Sequence, residues 1–111
     1  MEDTIMKIIL HAGDARSKSL LALKSVKQGD FEKARCLLEE ARQSSVAAHK
    51  VQTELIQKEV SGETQTMTLL LVHAQDHLMT ALSIRDVVLE LINYFEVIEH
   101  RLQKLEKEEG K

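Results

Sequence analysis

Proline and tryptophan are absent from this chain of 111 residues, which has only one cysteine, one tyrosine, two phenylalanines and four glycines. Without proline, no helix need lose a backbone donor to a ring. The lone Cys36 excludes an intramolecular disulfide and fits a reducing compartment. So few aromatics leave little to stack on nucleobases, and a formal net charge of −3 offers no basic face to phosphates. Nucleic acid is not an expected partner. No apolar run approaches the roughly eighteen residues of a membrane span. Met1-Glu2-Asp3 is acidic where a secretion signal is basic, and Ile8-Ile9-Leu10 is too short for its apolar core. The expectation is one cytoplasmic domain over residues 1–111, able to bury roughly 60–70% of its unfolded surface.

What is present is helical periodicity, and the expected fold class is all-α, a three-helix antiparallel bundle. The first helix is expected over about residues 4–28, with a stripe of Ile5, Ile8, Ile9, Ala12, Ala15, Leu20, Leu23 and Val26. Gly29 suits a left-handed helix end, and Asp30 a cap for the next helix. The second, over about 31–60, repeats Phe31, Ala34, Leu38, Ala41, Ser45, Ala48, Gln52 and Leu55 by threes and fours, its small middle residues admitting a close neighbour. After a polar break at Ser61-Gly62-Glu63-Thr64, the third is expected over about 67–106. Its stripe reads Leu70, His73, His77, Ala81, Ile84, Val88, Leu91, Phe95, Ile98, Leu102 and Leu105. At roughly 60 Å it outruns the others, so its far end must project or pack on another subunit. Residues 106–111 are expected to fray into solvent. Met67 to Val72 is apolar all round, which two neighbours cannot cover, so a homo-oligomer with third helices at its centre is expected.

Chemistry concentrates in Leu69-Leu70-Leu71-Val72-His73-Ala74-Gln75-Asp76-His77-Leu78-Met79-Thr80. Spacings of three and four place His73, Asp76 and His77 on one helix face, where they are expected to enter protein rather than water. Burial there is costly unless the groups are paired, metal-bound or chemically used. His73 is the candidate nucleophile, because an imidazole phosphoramidate retains high transfer potential. His77 is placed to hold a phosphoryl oxygen or orient that ring, and Gln75 is a weaker candidate for a rim contact. If Asp76 points at a symmetry axis, its copies bring like charges together and need protonation or a cation such as Mg²⁺.

Other readings of the same residues are a zinc site of the H-x-x-D-H kind, a histidine phosphotransfer domain and a helical scaffold using the cluster as a polar register device. The first lacks an obvious third ligand, and the second prefers Lys and Gly where Asp76 and His77 stand. His11, His49 and His100 are isolated and read as surface or packing residues. Cys36 reads as a buried, inert thiol. Gly13, inside a helix, reads as a site of close helix approach, with Asp14 and Arg16 possible at a binding rim.

With these residues in view, the chain resembles the lactose/cellobiose family of enzyme IIA proteins of the phosphoenolpyruvate-dependent sugar phosphotransferase system. The resemblance rests on Gly13-Asp14-Ala15-Arg16-Ser17, Gln28-Gly29-Asp30-Phe31, Ala48-His49-Lys50-Val51-Gln52-Thr53 and Val72-His73-Ala74-Gln75-Asp76-His77-Leu78-Met79-Thr80. It implies a phosphotransferase whose protomers form a homotrimeric nine-helix bundle. It implies that His73 is phosphorylated by the phosphocarrier HPr and hands the group to a cysteine of a IIB component, which serves the membrane IIC component. It implies that Asp76 meets its copies around a divalent metal, Mg²⁺ by expectation, and that His77 is the second histidine beside the phosphoryl group. No direct sugar binding is implied; the sugar is expected to be a disaccharide such as cellobiose, diacetylchitobiose or lactose, with residues 51–55 and 72–76 leaning to the first two. Residues after Tyr94 extend the third helix beyond the family's expected length.

Overall fold

Two glycines punctuate the chain. In the computed structural model, which describes residues 1–110, they separate α1 (Glu2–Lys27), α2 (Phe31–Val60) and α3 (Leu69–Glu109). Gly29 takes φ 76° and Gly62 φ 100°. Each closes its helix in the same way. The Asp30 amide donates to Ser25 O and Gly29 to Val26 O; Glu63 donates to Lys58 O and Gly62 to Glu59 O, all at 2.9–3.1 Å. Side chains with a Cβ rarely adopt this left-handed backbone. Asp30 then caps α2 by accepting from the Lys33 amide at 3.0 Å, as expected. Thr68 does the same for Leu71 at 3.1 Å, which starts α3 two residues later than the periodicity suggested.

α1 lies in the middle, packed along both α2 and α3, while α2 and α3 touch less. The α2 stripe is buried as expected from Ala34 to Leu55, with Phe31 half-buried at its head. On α1 the buried residues after Ala15 are Ser19, Ala22 and Ser25, and the expected Leu20 is exposed. Serine is tolerated because its hydroxyl donates to the carbonyl four residues back: Ser19 to Ala15 O at 2.7 Å, Ser25 to Leu21 O at 3.1 Å and Ser45 to Ala41 O at 2.8 Å. The α1–α2 seam is thus lined by Ala and Ser. Gly13 has no part in that approach: a Cβ there meets nothing within 4 Å, so the expected packing reason is absent within the protomer.

The third stripe is corrected by one position. α3 buries Leu71, Ala74, Leu78, Ala81, Val88 and Ile92, and leaves Leu91, Phe95, Ile98, Leu102 and Leu105 exposed. Of the expected stripe Ala81 and Val88 are buried and Leu70 and Ile84 pack at the core's edge, while His73, His77 and the residues from Leu91 on fall outside it, one residue being about 100° around a helix. α3 is 41 residues long, the molecule measures 70 × 21 × 19 Å, and every described residue from Val97 onward is exposed. The last grip on α3 is Arg35 of α2, whose Nη2 donates to Asn93 Oδ1 at 2.9 Å and Glu96 Oε1 at 2.8 Å. The expected fraying from Glu106 gives way to helix through Glu109; Lys111 lies outside the described residues. Cys36 is exposed, contrary to expectation, because it follows Arg35 on the rim of α2. No helix among the described residues is long and apolar enough to cross a membrane.

Two stability tests follow. Ala41 is fully buried in the small-residue seam, so Ala41→Leu should cost about 1–3 kcal/mol by forcing the helices apart; an unchanged denaturant midpoint would contradict the tight seam. Across the same seam the Ser44 hydroxyl donates to Asp14 Oδ2 at 2.5 Å, and Lys18 Nζ lies 3.2 Å from it. The Ser44 hydrogen bond, aided by Lys18 and opposed by partial burial, holds the Asp14 carboxyl below its ordinary range. A depressed carboxyl pKa stabilises the fold above the unfolded value, and that contribution is lost as pH falls through the folded value. The Asp14 side chain is 42% exposed, so screening keeps the effect under about 1 kcal/mol. Ser44→Ala should therefore shrink the loss of stability between about pH 7 and about pH 3, as read by urea melts at both.

Candidate functional site

The turn that carries the histidines is fixed from beneath. Ala74 and Leu78, each following a histidine by one residue, are completely buried against the core shared with α1 and α2. From a second side Gln52 of α2, itself buried, donates its amide to Gln75 Oε1. The turn can neither roll nor slide without breaking one of these contacts. Gln75 is therefore held towards α2, away from the histidine pair. Sequence reading placed Gln52 in the core stripe but did not foresee this bond, since a Gln at a stripe position carries no sign of its partner.

His73 and His77 stand one turn apart on the outer surface, with Nε2 to Nε2 at 3.0 Å, ring centroids 4.4 Å apart and the rings perpendicular. A hydrogen bond between two ring nitrogens needs one N–H and one lone pair, so one facing nitrogen is always unprotonated. The two rings are not equivalent in access: His73 is exposed and His77 half-buried. That asymmetry suits His73 to attack an incoming electrophile and His77 to donate to what His73 then carries. The histidines were expected to enter protein; in the protomer they face solvent, because the buried stripe runs one residue further on.

Asp76 is exposed on the side of α3 opposite the core. Its neighbours along that side are Leu69, Val72 and Met79, which are 85%, 49% and 53% exposed. A carboxylate in the middle of a bare apolar stripe, with no ion pair among the described residues, is a lone anion on a surface that seeks cover. Among the described residues no three His, Cys, Asp or Glu side chains are grouped to hold a metal. The zinc reading of His73, Asp76 and His77 thus lacks its third ligand within one chain. A cation at Asp76 fits only with carboxylates from further copies, where hard oxygen donors suit Mg²⁺. His49 and His100 are exposed and His11 is half-buried beside Asp14; none joins the pair.

Known proteins share this fold and much of its sequence. The family described as "PTS system, Lactose/Cellobiose specific IIA subunit" matches residues 3–96. The lichenan-specific phosphotransferase enzyme IIA component of Bacillus subtilis (strain 168) is 49% identical over 98 residues, covering 88% of this chain and 89% of the relative. The crystal structure of the PTS cellobiose-specific enzyme IIA from Bacillus anthracis superposes with a TM-score of 0.86 at 38% identity, covering 89% and 91% of the two chains. A solution structure of the IIA(chitobiose)–HPr complex of the Escherichia coli N,N'-diacetylchitobiose branch gives a TM-score of 0.76 at 40% identity, covering 88% and 95%.

Proposed function

The chain belongs to the lactose/cellobiose-specific IIA family of the sugar phosphotransferase system, and from that premise we propose that His73 is the residue that carries the phosphoryl group. It is a phosphotransferase component that takes the group from HPr, the partner seen with its chitobiose relative, and gives it to a IIB component. The observation that carries the residue assignment is the exposed imidazole of His73 with His77 Nε2 at 3.0 Å. In the first step a His73 ring nitrogen attacks phosphorus in line. A new N–P bond forms as the N–P bond to the carrier histidine breaks, and its electron pair returns to the carrier's imidazole. In the second step a IIB cysteine thiolate attacks the same phosphorus and His73 regains its lone pair. Such transfer depends on alignment and charge stabilisation more than on acid–base chemistry. His77, perpendicular to His73 and beside its Nε2, is placed to donate to a phosphoryl oxygen. The relatives' sugars, lichenan, cellobiose and diacetylchitobiose, support a β-linked saccharide as the transported sugar, which this chain never touches.

The same proposal includes a homotrimer in which the bare sides of three α3 helices meet and Asp76 from each copy lies at the axis. Leu69, Val72 and Met79 support it, since a stripe so exposed needs cover. A divalent metal, Mg²⁺ on the chemistry of its carboxylate donors, neutralises the three charges when bound. The histidines flank Asp76 at the border of this contact and keep an open approach for a carrier.

Incubation with phosphoenolpyruvate, enzyme I and HPr tests the relay. We expect one acid-labile phosphoryl group per chain, lost in His73→Ala and retained in His49→Ala; labelling of His73→Ala would overturn the assignment. His77→Ala should still accept the group but on the order of a hundred-fold more slowly, the usual effect of removing one donor to a developing anion. Asp76→Leu should remove bound metal, measured by elemental analysis, and leave a trimer at least as stable by sedimentation, because buried charge clusters are often replaceable by apolar residues. Collapse of that variant to monomer would count against the axial position.

A further inference from the structure

Among the described residues the buried polar side chains are Ser19, Ser25, Ser45 and Gln52. The serines bond carbonyls of their own helices, whereas Gln52 reaches from α2 to Gln75 of α3. An amide at this point of the α2 stripe must give up its water, and the hydrogen bond it gains does little more than offset that loss. Methionine there would fill the core equally well, so packing alone does not account for Gln52.

The bond has a direction. Gln52 donates from Nε2 and Gln75 accepts at Oε1. A primary amide carries one carbonyl and one NH2 group, so turning the Gln75 carbonyl to α2 turns its nitrogen away from α2. Gln75 is half-buried, which leaves that nitrogen within reach of a neighbour. Helical geometry says which neighbour. Gln75 and His77 stand one residue to either side of Asp76, about 100° around the helix in opposite directions, and His73 lies on the His77 side. Gln75 therefore cannot serve the histidines of its own chain. In parallel copies joined along Asp76, the side of one α3 that bears Gln75 faces the side of the next that bears His73 and His77.

We propose that Gln52 is a positioning residue of the relay: by holding the Gln75 carbonyl, it aims the Gln75 amide nitrogen at the phosphoryl group carried by His73 of the neighbouring copy. This rests on the trimer reading above. Each site is then completed by two chains, with His77 donating to one phosphoryl oxygen and the neighbouring Gln75 to another. A reversed amide would present a carbonyl oxygen to the anion instead, and an unheld one would turn both ways.

The rate of transfer from phospho-HPr to full-length protein tests the direction of the amide. Gln52→Glu keeps the size and the hydrogen bond, but a carboxylate only accepts, so Gln75 must turn its nitrogen inward and its carbonyl out. We expect transfer to slow on the order of a hundred-fold, as when a donor to a developing anion is lost. Gln52→Met, which keeps the core filled and leaves the amide free to turn, should slow it about ten-fold. In a Gln75→Ala background neither change should cause further loss, because both act through Gln75. Unchanged transfer in Gln52→Met, or equal slowing with and without Gln75, overturns the role of Gln52. Co-expression tests the shared site. His73→Ala chains accept nothing but keep Gln75, so in large excess they should raise the rate per intact His73 of Gln75→Ala chains about ten-fold or more. No gain in mixed trimers overturns the contact between copies and leaves the trimer standing. A protein that sediments as a monomer overturns the trimer reading and this inference with it.

Discussion

One helix carries two apolar sides, and the rest of the molecule is arranged around that fact. The inner side of α3, through Leu71, Ala74, Leu78 and Ala81, completes the core of the protomer. The opposite side, through Leu69, Val72 and Met79, is left bare. Because α1 and α2 meet through Ala and Ser, they lie close and leave α3 covered from one side only. A wider seam of large residues would have spread the hairpin and enclosed more of α3. The economy of side-chain volume between α1 and α2 therefore decides that α3 remains available to other molecules.

The histidine pair stands on the boundary between these two sides. Spacing of i, i+4 on a straight helix is enough to bring the rings together, but spacing alone leaves them free to swing. Here Ala74 and Leu78 fix the turn from below and the Gln52–Gln75 bond fixes it from α2. Rigidity of this sort matters for a relay that works by alignment, because orientation settled during folding need not be settled again at each encounter. His73 combines that fixity with exposure. A fully buried histidine would be as rigid but out of reach of a carrier, and one on a loop would be reachable but poorly aimed.

How much of this was legible depended on how many sides of a helix were apolar. α2 has a single apolar stripe, and its buried residues from Ala34 to Leu55 could be read directly from the chain. The Gly29-Asp30 junction was equally legible, since Gly and Asp there have few other uses. α1 misled at Leu20, because the rule that apolar means inside ignores a serine whose hydroxyl is satisfied by its own helix. α3 misled more seriously. With residues of two sides mixed in one sequence, periodicity returns a direction that belongs to neither, and the expected stripe of Leu70, His73 and His77 fell between them. The pairing of His73 with His77 survived that error because it rested on short spacing alone. Their burial did not survive, because it rested on the phase. Cys36 was misplaced for a related reason: thiols are usually buried, but this one follows Arg35 onto the rim. The partners of Gln75, Asp14 and Arg35 lie far along the chain and left no local trace.

An aspartate amid Val72 and Met79 weakens an apolar contact, and its value in the proposed trimer lies in register. If one α3 slipped by a single turn, about 5.4 Å, against its copies, the carboxylates would part company and each would be buried singly among aliphatic side chains. The aligned arrangement lets one cation serve all three, while every slipped arrangement strands three charges. An all-leucine stripe would bind as well or better and would tolerate the slip. Since His73 and His77 flank Asp76 at the edge of the same contact, a slip of that size would also move each pair against the neighbouring surface and alter the approach of a carrier. In the proposed trimer the charge would thereby set the position of His73 relative to the neighbouring subunit, which hydrophobic contact alone would leave loosely specified.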